Sequence, residues 1–290
     1  MFFTKRNLFP FFLILAVLLS IGAHATSMQS SSKEFATLKQ ELIQEGFLET
    51  TISKLYDRSD VRFDLGTMAG YFRHRETSSN YTQFSSPQQI AMAKTYLKNN
   101  LKTLQAAEDT CQVPKEMIVA VLLVETRLGQ YTGRHSVLNT FSSIAAMSSL
   151  DVRDNAFNAL KQRNAAIKRD DFDRWCNRKA PWAYKELVSF LKWAERDGIP
   201  PESVFGSYAG AFGISQFLPS SLLAYGTDGN GDGKVNLFQK EDAIFSVANY
   251  LKQNGWSPDN TCEKNRKAVY AYNNSTPYVD AIFSVADLLQ

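Results

Sequence analysis

One carboxylate in this sequence stands where it could transfer a proton. Glu125 directly follows residues 117–124, an apolar run without a charged side chain. A run that is apolar on all sides predicts a buried helix, with Glu125 in its last turn. Burial raises the pKa of a carboxyl group, as a general acid working near neutral pH requires. The alternative is a structural ion pair between Glu125 and Arg127 or a distant lysine.

A second group of residues could bind a cation. Asp228, Asn230 and Asp232 alternate along the chain, and Gly233 follows at the sixth position of the motif. Side-chain oxygens at alternate positions, with a glycine at the sixth, form the first half of an EF-hand calcium loop. Lys234 would contribute its backbone carbonyl oxygen, because an ammonium group cannot coordinate a cation.

The second half of this loop departs from the standard pattern. Its twelfth position is Gln239, where a standard loop has a bidentate glutamate. Asp242 could close a longer loop, and Glu241 is the rival for that position. The sequence therefore predicts weak or ion-tolerant calcium binding over residues 228–242. The alternative is a plain turn of asparagine, aspartate and glycine.

Two further segments combine small, aromatic and amide side chains. Residues 206–221 are rich in glycine and alanine, and Gln216 lies in their otherwise apolar sequence. Such a segment could pack tightly between helices, or it could line a binding cleft with one placed amide. Residues 268–278 bring three tyrosines and two asparagines together. Aromatic and amide groups are typical of carbohydrate clefts, because sugar faces are apolar and sugar hydroxyls need directed hydrogen bonds.

The elements that must position these residues are predicted to be helical. Apolar residues recur at helical spacing over 33–56, 87–108, 180–197, 242–251 and 279–289. Ser86 followed by Pro87 is a typical helix start. Residues 57–86 indicate irregular structure, and the charged segment 150–177 indicates a helical insertion on the surface. No clear strand pattern or internal repeat occurs, so the predicted fold class is mainly α.

The N-terminal end has the features of an export signal. A basic start precedes the apolar residues 8–21, and an A-x-A cleavage site ends at Ala25. We therefore expect a signal peptide over residues 1–25 and the mature protein over residues 26–290. An uncleaved anchor is the alternative. No cysteine follows the apolar stretch directly, so lipid attachment is not predicted.

Charge and cysteine content narrow the classes of protein further. Removal of Lys5 and Arg6 lowers the formal net charge from +3 to +1, which implies no nucleic-acid partner. Cys111, Cys176 and Cys262 predict one disulfide and one free thiol in an oxidising compartment, with the pairing left open. Their spacing does not suit a zinc site.

Four blocks follow one another along the chain: VETRLG at residues 124–129, SYAGAFGISQFLPSS at 207–221, DGNGDGKVNL with DAIFSVANY at 228–237 and 242–250, and the pair Tyr272 and Asn273. Their order and spacing resemble the lytic murein transglycosylase B family of glycoside hydrolases. The resemblance extends from about residue 35 to the end of the sequence.

This resemblance implies a fold and a reaction. The fold would be lysozyme-like and mainly α, with an extra helical lobe and an EF-hand-like loop. The reaction would be non-hydrolytic cleavage of the β-1,4 bond between N-acetylmuramic acid and N-acetylglucosamine in peptidoglycan. Glu125 would be the single catalytic residue, which first protonates the glycosidic oxygen. It would then act as base on the muramoyl C6 hydroxyl, which closes a 1,6-anhydro ring.

The resemblance also implies binding residues. Substrate would contact Tyr81, Arg178, Lys179, Ser207, Gln216, Phe217, Tyr272, Asn273 and Tyr278. Of these, Ser207 and Asn273 would orient Glu125 or the N-acetyl group. A structural calcium ion, with no organic cofactor, would be held by Asp228, Asn230, Asp232, Lys234 and Asp242.

The biological setting follows from the resemblance and the signal peptide together. We expect a monomeric enzyme that is periplasmic or secreted, with no membrane anchor after cleavage. Its partners would be peptidoglycan glycan strands and proteins of the cell-wall machinery. Residues 150–177 would be an insertion relative to the family. The alternatives are a hydrolytic muramidase, and an inactive protein that binds peptidoglycan or assists its assembly.

Overall fold

The computed structural model describes residues 33–73 and 81–290, which are mainly helical. The expected signal peptide lies outside the described residues. The chain divides into two compact units, Met1–Phe63 and Asp64–Gln290. Within the described ranges, no helix is long and apolar enough to cross a membrane.

The described part of the first unit contains two helices, α1 (Ala36–Gln44) and α2 (Glu49–Tyr56), where the apolar spacing predicts one. Gly46 separates them in a left-handed conformation, with φ 111°. The Phe35 ring packs edge-on against Tyr56, at 5.2 Å between centroids, and both side chains are buried. The two helices thereby form a small core of their own.

The second unit contains the remaining helices, numbered in chain order. They are α3 (Leu65–Arg73), α4 (Pro87–Asn99), α5 (Leu101–Cys111), α6 (Lys115–Thr126), α7 (Val137–Ala145), α8 (Leu150–Arg163), α9 (Arg169–Asp197), α10 (Pro219–Tyr225), α11 (Lys240–Gln253), α12 (Cys262–Tyr272) and α13 (Thr276–Leu289). Short 3-10 helices span Tyr81–Ser85, Ala146–Ser148 and Pro201–Ser203. Strands β1 (His135–Ser136) and β2 (Phe205–Gly206) pair antiparallel, with His135 opposite Gly206.

Helix α6 lies in the main core of this unit. All residues from 117 to 124 are buried, as the apolar run predicts, and the helix packs against α4, α11 and α13. Pro114 is the residue before the helix. After the helix ends, Arg127 and Leu128 both adopt left-handed conformations, with φ 48° and 60°. These are uncommon for residues other than glycine, so the turn beside Glu125 is sterically costly.

The charged segment 150–177 is not confined to the surface, which corrects the expectation. Phe172 and Trp175 are buried, and their rings contact Phe72 at centroid distances of 5.6 and 5.7 Å. The few apolar residues of the segment are large enough to build a second aromatic core. Helix α9 also begins at Arg169 and continues through Pro181, so it starts earlier than predicted.

All three cysteines are free thiols, and the expected disulfide is therefore wrong. Cys111 and Cys176 are buried in α5 and α9, whereas Cys262 is exposed at the start of α12. Burial raises the pKa of the Cys176 thiol to about 12, which keeps it protonated and unreactive. The count of cysteines carries no information on whether two of them meet in space.

Candidate active site

Glu125 lies in the last turn of α6, beside the C-terminal helix α13. Its Oε1 accepts a hydrogen bond from the Tyr278 hydroxyl at 2.7 Å. Part of the side chain is open to solvent. The surrounding protein nevertheless displaces enough water to raise the pKa of Glu125 to about 7, and the Tyr278 bond opposes this rise. Near neutral pH the group can therefore give up a proton and take one back.

The alternative ion pair between Glu125 and Arg127 does not form. The Arg127 guanidinium lies over the Tyr131 ring, 5.4 Å from its centroid, and donates a hydrogen bond to Gln83 Oε1 at 3.3 Å. Burial, rather than a neighbouring cation, dominates the proton affinity of Glu125. An ion pair with Arg127 therefore does not explain Glu125, and its catalytic role stays a prediction.

Four predicted cleft residues form one aromatic cluster with Glu125 at its edge. The Tyr278 ring meets Tyr81 edge-on at 5.8 Å and lies nearly parallel to Tyr272 at 6.4 Å. Tyr272 continues the cluster to Phe217 at 5.7 Å. Burial raises the pKa of the Tyr278 hydroxyl well above its ordinary value, with a contribution from the Glu125 charge. Tyr278 therefore keeps its proton and remains a hydrogen-bond donor to the carboxylate.

Two further tyrosines extend this cluster and were not among the predicted residues. The Tyr250 ring lies 4.7 Å from Tyr272, and the Tyr225 ring lies 4.6 Å from Tyr250. Tyr250 follows the apolar stripe of α11, three residues after the buried Val247. A partly exposed aromatic residue beside such a stripe is the sequence signal that could have identified it.

The glycines between β2 and α10 allow close contact between backbone segments. A Cβ on Gly213, which has φ 74°, would lie 2.4 Å from the Cβ of Leu237. A Cβ on Gly210, which has φ 88°, would lie 2.2 Å from the Phe141 ring. Tight packing therefore explains these glycines, although the segment is an irregular turn rather than a helix. Residues 206–217 are called the wall below.

Gln216 has a structural role in the wall. It adopts a left-handed conformation with φ 50°, and its amide Nε2 donates to the carbonyl oxygens of Thr132 and Gly213 at 3.1 and 2.9 Å. The bond to Thr132 joins the wall to the loop that follows α6, and the bond to Gly213 lies within the wall. The wall and the end of the Glu125 helix are therefore held together.

Ser207 stabilises its own turn, and Asn273 lies at the end of a helix. The Ser207 Oγ accepts a hydrogen bond from the Ala211 backbone N–H at 3.2 Å. Asn273 is the residue that follows the last residue of α12. Within the described part of the chain, Glu125 accepts a hydrogen bond from Tyr278 and from neither Ser207 nor Asn273. Their expected role in orienting Glu125 or the substrate stays a prediction.

The basic pair Arg178 and Lys179 lies in the middle of α9. The Lys179 ammonium stands over the Trp182 ring, 4.4 Å from its centroid. Burial and then the neighbouring Arg178 lower the pKa of Lys179. Trp182 contacts Phe141 at 5.7 Å, and the Phe141 ring fills the space beside Gly210 of the wall. The pair is thereby linked to the wall through two aromatic rings.

The loop that begins at Asp228 is folded by its own polar groups. The Asp228 carboxylate accepts hydrogen bonds from the backbone N–H groups of Gly231 and Gly233, both at 2.7 Å. The Gly233 bond is the largest cause that lowers the pKa of Asp228. Asn230 Oδ1 accepts from the Asp232 N–H at 2.9 Å. These turns keep the three candidate ligand residues on one compact loop.

Asp242 closes this loop from inside the protein. The side chain is fully buried, and its two oxygens accept from the backbone N–H groups of Gly229 at 2.9 Å and Asn236 at 2.7 Å. Burial raises the pKa of Asp242, and the two N–H groups oppose this effect. Among the described residues, no three histidine, cysteine or acidic side chains converge as a metal site would require. The calcium site stays a prediction.

The sequence matches a known family over most of its length. Residues 30–264 match the family described as Transglycosylase SLT domain. The chain is 28% identical over 221 residues to Membrane-bound lytic murein transglycosylase B of Escherichia coli (strain K12). The match covers 75% of this chain and 52% of that relative, so the chain spans about half the length of the curated relative it matches.

Solved structures share the fold. Soluble lytic transglycosylase SltB1 from Pseudomonas aeruginosa superposes with a TM-score of 0.71 at 23% identity, over 88% of this chain and 97% of that one. Escherichia coli lytic transglycosylase Slt35 in complex with calcium gives 0.69 at 19%, over 88% and 93%. Pseudomonas aeruginosa SltB3 in complex with NAG-anhNAM-pentapeptide gives 0.69 at 18%, over 90% and 79%. These matches confirm the predicted mainly α, lysozyme-like fold class.

Proposed function

Since the chain belongs to the Transglycosylase SLT domain family, we propose that it is a lytic transglycosylase of peptidoglycan. It cleaves the β-1,4 bond between N-acetylmuramic acid and N-acetylglucosamine without water and leaves a 1,6-anhydro end. One observation carries this proposal: a single carboxyl group, Glu125, has its pKa raised to about 7 by burial and is hydrogen-bonded by Tyr278.

A carboxyl group of this kind can serve both halves of the reaction. Protonated Glu125 gives its proton to the glycosidic oxygen while the bond from that oxygen to C1 breaks. The resulting carboxylate then takes the proton of the muramoyl C6 hydroxyl while the C6 oxygen bonds to C1. Glu125 ends protonated, as it began, and no water is consumed. Each role depends on a pKa near the working pH.

The aromatic cluster supports a carbohydrate substrate. Tyr81 and Tyr272 are partly exposed in this cluster, and exposed aromatic rings pack well against the apolar faces of sugars. Phe217 and Tyr278 are buried and pack against these two rings. The related SltB3 structure contains NAG-anhNAM-pentapeptide, a ligand with the proposed type of end. Ser207, Gln216, Asn273, Arg178 and Lys179 are the further substrate contacts that we propose.

Product analysis tests this function directly. Purified peptidoglycan is digested with the wild-type protein, with Glu125→Gln, and with a hydrolytic muramidase as reference. Mass spectrometry of unreduced products should show 1,6-anhydro ends, one water lighter than hydrolytic ends, for the wild type alone. Hydrated reducing ends would instead establish a hydrolytic muramidase. Binding to peptidoglycan without any release would indicate an inactive binding protein.

We also propose that calcium binds the loop formed by residues 228–242. The oxygens of Asp228, Asn230 and Asp232 and the Lys234 carbonyl are the donors that calcium prefers. The turns on Asp228 and Asn230 already hold these residues on one loop, and the related Slt35 structure contains calcium. Asp242 would then hold the loop closed through its backbone contacts, or complete the ligand set.

The setting that fits this activity is outside the cytoplasmic membrane. We propose export through residues 1–25 to the periplasm or the medium, as a monomer acting on glycan strands. N-terminal sequencing of the protein recovered from each cell fraction tests export. A mature N-terminus near residue 26 in the soluble periplasmic fraction is the expected result, and an intact N-terminus in the membrane fraction would contradict it.

A further inference from the structure

The Thr126 hydroxyl joins three parts of the molecule directly beside Glu125. It is 1% exposed, donates a hydrogen bond to the Ile214 carbonyl oxygen at 2.8 Å, and accepts one from the Gly129 N–H at 2.9 Å. Ile214 belongs to the wall, and Gly129 to the left-handed turn after α6. One hydroxyl therefore fixes the end of the helix, the turn and the wall relative to one another.

The same stretch of wall also holds the hydrogen-bond donor of Glu125 in place. The Tyr272 hydroxyl donates to the Ser215 carbonyl oxygen at 2.5 Å. The Tyr272 ring lies against Tyr278 with an interplanar angle of 12°. Tyr278 then donates to Glu125. Two adjacent wall residues, Ile214 and Ser215, thus help to position both the carboxyl group and its hydrogen-bond donor.

These contacts form a closed ring. It runs from Glu125 through Tyr278, Tyr272, Ser215, Ile214 and Thr126 back to Glu125. Two of its contacts reach the wall: Thr126 binds Ile214, and Tyr272 binds Ser215. The Thr126 contact sets the position of the end of α6. Without the Thr126 hydroxyl, the Ile214 carbonyl and the Gly129 N–H would both lose their partner inside the protein. The end of α6 would then be free to shift relative to Tyr278.

We propose that Thr126 is a positioning residue, whose hydroxyl keeps the Glu125 carboxyl group in register with the Tyr278 hydroxyl. It does not touch the reacting atoms. It acts through Glu125, and its effect on turnover rests on the proposed function. Its effect on the proton affinity of Glu125 does not, so the two can be tested separately.

The test compares Thr126→Val, which keeps the shape without the hydroxyl, with Thr126→Ser, which keeps the hydroxyl. The readout is the titration of the Glu125 carboxyl carbon by NMR in protein labelled with ¹³C-glutamate, assigned with Glu125→Gln. The Tyr278 bond lowers the pKa of Glu125, so its loss in Thr126→Val should raise the titration midpoint by about half a pH unit or more. Thr126→Ser should titrate like the wild type.

Kinetics on peptidoglycan give the second readout. Thr126→Val should lower kcat about tenfold with KM nearly unchanged, because small misplacement of a catalytic group affects the transition state most. Thr126→Ser should restore kcat. A Thr126→Val protein that melts earlier but has an unchanged Glu125 titration and kcat would overturn the proposal. Equal defects in both variants would do the same.

A second variant, which removes a different contact of the ring, keeps the proposal testable if Thr126→Val does not fold. Tyr272→Phe removes the hydroxyl that binds Ser215 and keeps the ring stacked on Tyr278. The Glu125 titration should again move to higher pH. An unchanged midpoint would show that the wall does not position the Tyr278 and Glu125 pair. Since the titration needs no substrate, this outcome is independent of whether the protein cleaves peptidoglycan.

Discussion

Glu125 and Asp242 are two carboxyl groups in different surroundings. Burial raises the pKa of both. Asp242 is fully enclosed and gives both oxygens to backbone N–H groups, which cannot move away while the fold persists. Glu125 is partly open to solvent and has a side-chain hydroxyl as its donor. Burial therefore acts on both carboxyl groups, and the type of hydrogen-bond donor and the access of solvent distinguish them.

The largest expected difference concerns turnover. Glu125→Gln should lower the rate of muropeptide release by about 10²–10⁴-fold, the usual contribution of general acid–base catalysis. The amide can still accept from Tyr278, so the protein should fold normally. Release is measured by chromatography and folding by circular dichroism. Retention of the wild-type rate would show that Glu125 is not catalytic and that it does not differ from Asp242 in function.

The second prediction concerns pH. Burial raises the pKa of Glu125 from 4.5 to about 7, so between these values the folded protein binds more protons than the unfolded chain. The contribution of Glu125 to stability must then decrease as pH rises through this range. The free energy of unfolding of Glu125→Gln should increase relative to that of the wild type from about pH 4.5 to 7. Above pH 7 the difference between the two proteins should be constant. Urea unfolding at a series of pH values measures this increase. A difference between the two proteins that does not change with pH would contradict the raised pKa of Glu125.

The basic side of the activity profile tests the same group. A general acid must be protonated, so turnover should fall as pH rises through about 7. Tyr278→Phe removes the bond that lowers the pKa of Glu125, and the fall should therefore move to higher pH. A profile that moves to lower pH would mean that Tyr278 does not stabilise the carboxylate.

Asp242→Asn should affect folding rather than turnover. Its amide nitrogen would face a backbone N–H, which leaves buried polar groups unpaired and costs about 1–3 kcal/mol. Urea unfolding in the presence of a chelator measures this cost without any contribution from calcium. The matched control is Asp280→Asn, an exposed acid paired with Arg266 on the surface, where less than about 1 kcal/mol is expected. Equal costs would show that the burial of Asp242 is unimportant.

Calcium should produce the smallest effect. At a concentration several times its dissociation constant, the ion should stabilise the fold by about 1 kcal/mol. Melting curves with calcium and with chelator measure the shift. A variant carrying Asp228→Asn and Asp232→Asn should show none, while its turnover stays near that of the wild type. Identical melting of the wild type in both conditions would exclude the proposed site.

The sequence carried the local part of the site. The apolar run predicts α6 and places Glu125 at its end, because a helix that is buried on all sides has apolar residues at every position. The resemblance to a family supplied Tyr81, Phe217, Tyr272 and Tyr278, which the structure brings into one cluster. The bond from Tyr278 to Glu125 spans 153 residues. No local periodicity encodes such a contact.

The errors have physical reasons. The apolar spacing over residues 180–197 placed the start of α9 too late, because the helix begins in the charged residues from Arg169 and continues through Pro181. The charges of residues 150–177 outnumber the apolar residues, but Phe172 and Trp175 are large enough to form a core. The disulfide expectation used only the number of cysteines and the compartment, and neither states where the thiols lie.

The long reach of the Tyr278 bond has a consequence for the order of assembly. Helix α13 packs directly on α6, so Glu125 receives its donor only after a helix 153 residues further along the chain has docked. Contacts of such sequence separation form late, since the loop between them must first be closed. Recovery of activity during refolding should therefore lag behind recovery of helical signal. A nascent chain that has been synthesised only as far as the wall lacks Tyr278, so we expect it to be inactive.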